Sequence, residues 1–181
     1  MVSTLMMKTS KTSTPFPNLF TQPCSLCKTK KFQSIHLTSN AADLLTSHKA
    51  IMMQYDVMNL NFDMSNETRI TKLPPRIFSF KWLQVLKLTN IRVGDFDQVD
   101  FPHLKTLHLN SVYFSSDEYI LKFLLGCPIL ENLQSGLYTG RKDNIIENLN
   151  HLPNLVEVRI FRSNTPMALL CKTKILHMEQ V

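Results

Sequence analysis

The six histidines and four cysteines are where bond-making chemistry would have to start in this chain. The histidines are His36, His48, His103, His108, His151 and His177, and none shares a metal-ligand spacing with another histidine, a cysteine or a carboxylate. Cys24-Ser25-Leu26-Cys27 has the spacing of half a zinc site. Zinc needs four ligands, no second pair exists, and His36 lies outside the usual interval. A redox role for this CxxC would need a strand–helix–strand unit around it, which the local composition does not supply. No GxSxG, HExxH, phosphate-loop or dinucleotide fingerprint occurs, and four glycines are few for a phosphate cradle. The expectation is no catalytic residue, no metal ligand, no cofactor-binding residue and no cofactor.

What is left is recognition by hydrogen bonds and charge. Polar side chains recur two residues apart at Ser34 and His36, Asn59 and Asn61, Thr106 and His108, Asn132 and Gln134, and Glu157 and Arg159, with Val85 and Lys87 as the mixed pair. Eleven of these twelve are polar or ionisable. Residues two apart on a strand point to the same side, so each pair would share one face if each lay on a strand. A solvated strand face is polar in any case. The sharper expectation is that His36, Asn59, Asn61, Lys87, Thr106, His108, Asn132, Gln134, Glu157 and Arg159 bind a protein, with amides early in the chain and charges late.

The elements that must position these pairs are legible in the apolar residues around them. Leu83-x-x-Leu86-x-Leu88 returns as Leu104-x-x-Leu107-x-Leu109. The same spacing gives Phe32-x-x-Ile35-x-Leu37, Val57-x-x-Leu60-x-Phe62 and Leu155-x-x-Val158-x-Ile160. Leu130-x-x-Leu133 carries Ser135 at position 6, and a weaker seventh phrase ends on Leu176 and Met178. Position 4 thus falls at 35, 60, 86, 107, 133, 158 and 176, with gaps of 25, 26, 21, 26, 25 and 18. A period in the twenties with this phrase is the signature of leucine-rich repeats. Positions 4 and 6 face one way on a short strand, positions 3 and 5 the other. One coil cannot cover its own apolar face, whereas stacked coils build a common core. The expected fold is an α/β leucine-rich-repeat solenoid of six to seven irregular repeats, with a parallel sheet on one side and helices and turns on the other. Ser115 to Glu118 reads as a capping box opening a helix that Gly126 and Pro128 end. Similar arms are expected at 41–53 and 142–149, and turns near 94–96 and 101–102. Trp82, Phe78 and Phe80 are expected to pack into the core. His103 and His151 are expected to be hydrogen-bonded turn residues. Position 9, often asparagine in such repeats, is Ile91 and Val112 here, so these should point inward. Ile175, Leu176 and Met178 should lie open on the last coil.

Residues 1–30, rich in Ser, Thr, Pro and Lys and without apolar period, read as a flexible leader before a repeat domain at 31–181. The chain's net charge is +6, and five lysines with no acid lie within residues 1–42. The remainder holds 15 basic and 14 acidic residues, a balance that argues against a nucleic-acid partner. No run of eighteen apolar residues occurs, so no membrane-spanning helix is expected. The amino terminus lacks a signal-peptide core, which implies reduced thiols and a cytoplasmic or nuclear location. An organelle transit peptide is the alternative, given the Ser/Thr richness, although the segment lacks arginine.

Leu73-Pro74-Pro75-Arg76-Ile77-Phe78, running on through Leu88, resembles the leucine-rich region of plant F-box proteins that often also carry an FBD domain. So do Val99–Leu109, Tyr119–Glu131 with its Gly126-Cys127-Pro128-Ile129-Leu130-Glu131, and Leu152-Pro153-Asn154-Leu155. The resemblance spans residues 32–162. It implies a substrate receptor whose repeats present a target while an F-box grips a Skp-type adaptor of a cullin ubiquitin ligase. Residues 1–30 lack the composition of a three-helix F-box, and the chain after the last repeat is too short for an FBD domain. The expectation is therefore a non-catalytic protein-interaction scaffold, truncated at its C-terminal end, that binds an unidentified protein target on the sheet, with a Skp-type adaptor not expected. The alternatives are a complete receptor whose F-box is missing from this chain, a non-functional truncated paralogue, and an enzymatic or small-molecule site on the solenoid.

Overall fold

A computed structural model of the protein describes residues 5–8, 31–38, 56–66, 70–140, 152–161 and 173–179. The strands among them are β1 (Leu5–Lys8), β2 (Lys31–Thr38), β3 (Asp56–Asp63), β4 (Thr71–Lys72), β5 (Val85–Arg92), β6 (Thr106–Phe114), β7 (Asn132–Thr139), β8 (Glu157–Phe161) and β9 (Ile175–Glu179). They form one sheet in the order β1-β2-β3-β5-β6-β7-β8-β9, with the short β4 also paired to β5. From β2 to β9 the pairing is parallel. This is the leucine-rich-repeat solenoid that the spacing predicts. Four residues of the segment read as leader form β1, antiparallel to β2.

The register follows the phrase. Ile35, Leu60, Leu86, Leu107, Leu133, Val158 and Leu176 pair in succession across seven strands. The six from Ile35 to Val158 are at most 2% exposed, and burying each contributes roughly 1.5–3 kcal/mol. Ser135, polar at position 6, is fully buried in the neighbouring row between Leu109 and Ile160.

Two local devices set each strand. Before the strand, the N–H of position 1 bonds back to the carbonyl three residues earlier: Leu83 to Phe80, Leu104 to Phe101, Leu130 to Cys127 and Leu155 to Leu152. The second residue of the last three turns is Pro102, Pro128 and Pro153, the place in a β-turn where proline's fixed φ is already correct. The first residue of each points into the core or packs against it. At the strand's start, the position-2 carbonyl accepts two N–H groups from the next coil. Gln84 accepts from Lys105 and Thr106 at 2.9 and 3.0 Å, and Lys105 from Glu131 and Asn132 at 2.9 and 3.0 Å. Glu131 and Val156 repeat the pattern. A slip by one residue would break both bonds and turn the leucines outward.

Behind β5–β7 the core is filled by phenylalanine. Phe123 lies 5.7–6.2 Å between ring centres from Phe78, Phe96, Phe101 and Phe114, mostly edge to face, the geometry ring quadrupoles favour. Phe78 comes from a 3-10 turn at Pro75–Ser79. Phe123 comes from α1 (Asp117–Leu125), the single α-helix among the described residues. The predicted arms at 41–53 and 142–149 lie outside the described residues. The helix starts one residue later than the capping box requires: its N-cap is Ser116, with no side-chain cap bond. Ser115 Oγ instead donates to Asp95 at 2.7 Å, and Glu118 pairs with Lys122 one turn on at 2.7 Å. Gly126 ends the helix with an ordinary φ of −70°. Glycine is needed there for space, because a Cβ would stand 2.6 Å from the Val99 carbonyl oxygen.

Ile91 and Val112, at position 9, are buried as expected. The residue before each, Asn90 or Ser111, takes a positive φ of 54° or 52°. Asn90 Nδ2 donates to the Met64 carbonyl at 2.9 Å, so the asparagine supporting the turn stands one position earlier than in many such repeats. Asparagine tolerates this backbone better than most side chains.

Candidate interaction face

The alternation that buries positions 4 and 6 turns positions 3 and 5 outward, in two rows that cross the strands. One row pairs Ser34, Asn59, Val85, Thr106, Asn132, Glu157 and Ile175 in succession; the other pairs His36, Asn61, Lys87, His108, Gln134, Arg159 and His177. All are exposed or half-buried. The ten predicted site residues share this face and fall into two open grooves. Thr106, His108, Asn132, Gln134, Glu157 and Arg159 line one of about 330 Å³, with Leu133 at its floor. His36, Asn59, Asn61 and Lys87 line another of about 280 Å³, with Ser34, Leu60 and Val85.

Neighbouring strands tie parts of the rows together. The Asn61 amide donates to His36 Nδ1 at 3.0 Å. Arg159 places Nε and Nη2 each 2.9 Å from Glu157 Oε1, and His177 Nε2 lies 3.8 Å from the same oxygen. His108 sits between Lys87 and Arg159. Burial first, then those two cations, hold its imidazole below the usual histidine value of 6.5, so it is neutral at physiological pH.

Three features escape the six-residue phrase. His177 extends the second row onto β9, and alternation around Leu176 and Met178 was the signal for it. Trp82 is 53% exposed, contrary to its expected place in the core, and stacks on His103 with ring centres 5.0 Å apart and planes 7° from parallel. The reason is its position. Trp82 and His103 are each the third residue of the turn entering their strand, a place that faces outward whatever the side chain. Phe78 is buried and Phe80 packs against the core, as expected. His103 lies in its predicted turn, while His151 lies outside the described residues. Tyr113 and Tyr138, paired in register late in β6 and β7, stack at 5.0 Å. Leu125 and Val156 are also substantially exposed.

Cys127 is fully buried, with Sγ donating to the Phe123 carbonyl at 3.3 Å. Burial pushes its thiol far up, so it is a packing group. Among the described residues no cluster of three His, Cys, Asp or Glu could hold a metal, and no helix is long and apolar enough to cross a membrane.

Comparison with known proteins agrees with this architecture. Residues 47–165 match the family model described as FBD-associated F-box protein At5g56370, LRR repeats. The FBD-associated F-box protein At5g56370 of Arabidopsis thaliana is 35% identical over 107 residues, 58% of this chain and 25% of its own length. The putative F-box/LRR-repeat protein At3g59170 of the same plant is 42% identical over 91 residues, 48% of this chain and 19% of its own. The F-box/LRR-repeat protein At4g14096, also from Arabidopsis thaliana, is 36% identical over 85 residues, 45% of this chain and 18% of its own. The chain thus spans a quarter or less of the length of these relatives. No solved structure matches. With the family model covering well over half of its residues, the chain belongs to the leucine-rich-repeat family of the FBD-associated F-box proteins.

Proposed function

We propose that this chain is a non-catalytic scaffold whose exposed sheet face receives a partner protein, as the repeats of F-box receptors present targets to a ubiquitin ligase. The observation that carries this reading is the alignment of two rows of hydrogen-bonding side chains over two open grooves on one face. Such a surface offers many directional contacts and no enclosed cavity, which suits a protein segment better than a small molecule. The adaptor contact of an F-box receptor is assigned to none of these coils.

The test is affinity capture from plant cell extract with the intact chain and with Thr106→Trp and Asn132→Trp, which fill the larger groove. The captured protein should be lost from both variants while their melting temperatures stay unchanged. Equal capture by all three would move the site off the sheet. A purified Skp-type adaptor should not co-elute with the chain; a stable complex would favour a complete ligase receptor.

A further inference from the structure

The two exposed rows differ in charge. The position-5 row carries His36, Lys87, His108 and Arg159 with the amides of Asn61 and Gln134, and no acid. The position-3 row contributes one acid among the described residues, Glu157, which is committed to Arg159. Two lysines off this row have carboxylate partners: Lys105 meets Glu131 at 2.9 Å and Lys122 meets Glu118 at 2.7 Å. Lys87 has no ion-pair partner among the described residues, and it is exposed with Asn61 on one side and His108 on the other.

We propose that this row receives an acidic, extended peptide segment of a partner protein, laid across the strands, with one carboxylate at Lys87 and a second at Arg159, whose side chain stays 53% exposed beside its Glu157 contact. The proposal rests on the reading of the sheet as the binding face and names the chemistry of what binds there. The spacing fits. Strands lie about 4.8 Å apart, so the three steps from β5 to β8 cover roughly 14 Å. Side chains on one side of an extended peptide recur about every 6.7 Å, so acidic residues four apart lie roughly 13 Å from each other. The residue midway between them would then lie over His108 and Gln134, which can both donate and accept hydrogen bonds. A carboxylate brought near also offsets the repulsion that Lys87 and Arg159 exert on a protonated His108. A phosphate backbone fits less well, because beyond the leader the chain's basic and acidic residues nearly balance.

A random dodecapeptide library displayed on yeast and sorted against the full chain tests this. Enriched peptides should carry Asp or Glu at positions four apart. They should bind about ten-fold more weakly to Lys87→Glu, less weakly to Lys87→Gln, and more weakly as salt rises. Enriched peptides that are neutral or basic, or that ignore Lys87→Glu, overturn the acidic assignment; if Asn132→Trp still abolishes their binding, the face itself survives. No enrichment, or indifference to every substitution on the sheet, overturns both readings. A single-stranded RNA dodecamer that binds as tightly as the best peptide would replace the peptide by nucleic acid.

Discussion

Leu133 in the middle of the sheet and Leu176 on its last strand hold the same position in the repeat phrase, yet the first is 2% exposed and the second 43%. Their strands are built alike. Val156 gives its carbonyl to two N–H groups of the next coil just as Lys105 and Glu131 do, and β9 continues the register. What differs is burial among the described residues. β5, β6 and β7 are backed by α1, the 3-10 turn and the rings around Phe123, whereas Leu176 and Met178, the inward residues of β9, stand 43% and 58% exposed. The strand phrase therefore fixes pairing, and a filled return arm is what converts pairing into burial.

Emptying the filled layer should have the largest effect. Phe123→Ala removes the ring that joins four others and should cost about 3–5 kcal/mol in chemical denaturation. Leu176→Ala, at the equivalent place in the exposed coil's strand, should cost under about 1 kcal/mol. Equal losses at the two sites would mean that the last coil is as well packed as the middle.

Two glycines sharpen the same contrast within the back layer. Gly126 approaches the Val99 backbone so closely that a methyl group has nowhere to go, whereas nothing lies within 4 Å of a Cβ at Gly94. Gly126→Ala should destabilise by about 1–3 kcal/mol through overpacking. Gly94→Ala should be neutral or stabilising by up to about 1 kcal/mol, since it restricts mainly the unfolded chain. A neutral Gly126→Ala would show that the loop at Val99 yields easily and that the middle is looser than its burial implies.

The readability of the chain follows the same division. Strand register was legible residue by residue, because period-two alternation and the leucine spacing both report a single geometry, that of side chains on paired strands. The two rows of the outward face come from the same alternation. The back layer was legible only in outline. Ser115 has the type and spacing of a cap, but Asp95, brought close by the fold, takes its hydroxyl, and no local pattern announces a tertiary competitor. Hydrophobicity alone predicts a core place for Trp82, while its place in a turn decides its exposure. The Phe101-Pro102-His103-Leu104 and Cys127-Pro128-Ile129-Leu130 turns, aligned with Phe80-Lys81-Trp82-Leu83, contained that information. Lysine in place of proline hid it.

The smallest expected effect lies on the outward face, where the middle of the sheet crowds cations as its back crowds rings. His108 on β6 is held below the ordinary histidine value of 6.5 by burial, then by Lys87 on β5 and Arg159 on β8; Glu157, the acid of the same groove, is engaged by Arg159. In the unfolded chain His108 is free of all three and binds a proton near its ordinary value. Between the folded and the ordinary value the unfolded state thus holds more protons, and stability rises with pH across that interval. The neutral imidazole's advantage is complete above about pH 7 and declines as pH falls through 6.5 toward the folded value. Thermal melts at about pH 7.5 and 5.5 should therefore differ less for His108→Gln than for the unsubstituted chain. Lys87→Gln should also reduce the difference, by less, because burial is the larger cause and solvent screens the lysine. If His108→Gln leaves the pH dependence unchanged, the crowding on the outward face carries no energetic weight, and the contrast between the middle of the sheet and its last strand is confined to the apolar side.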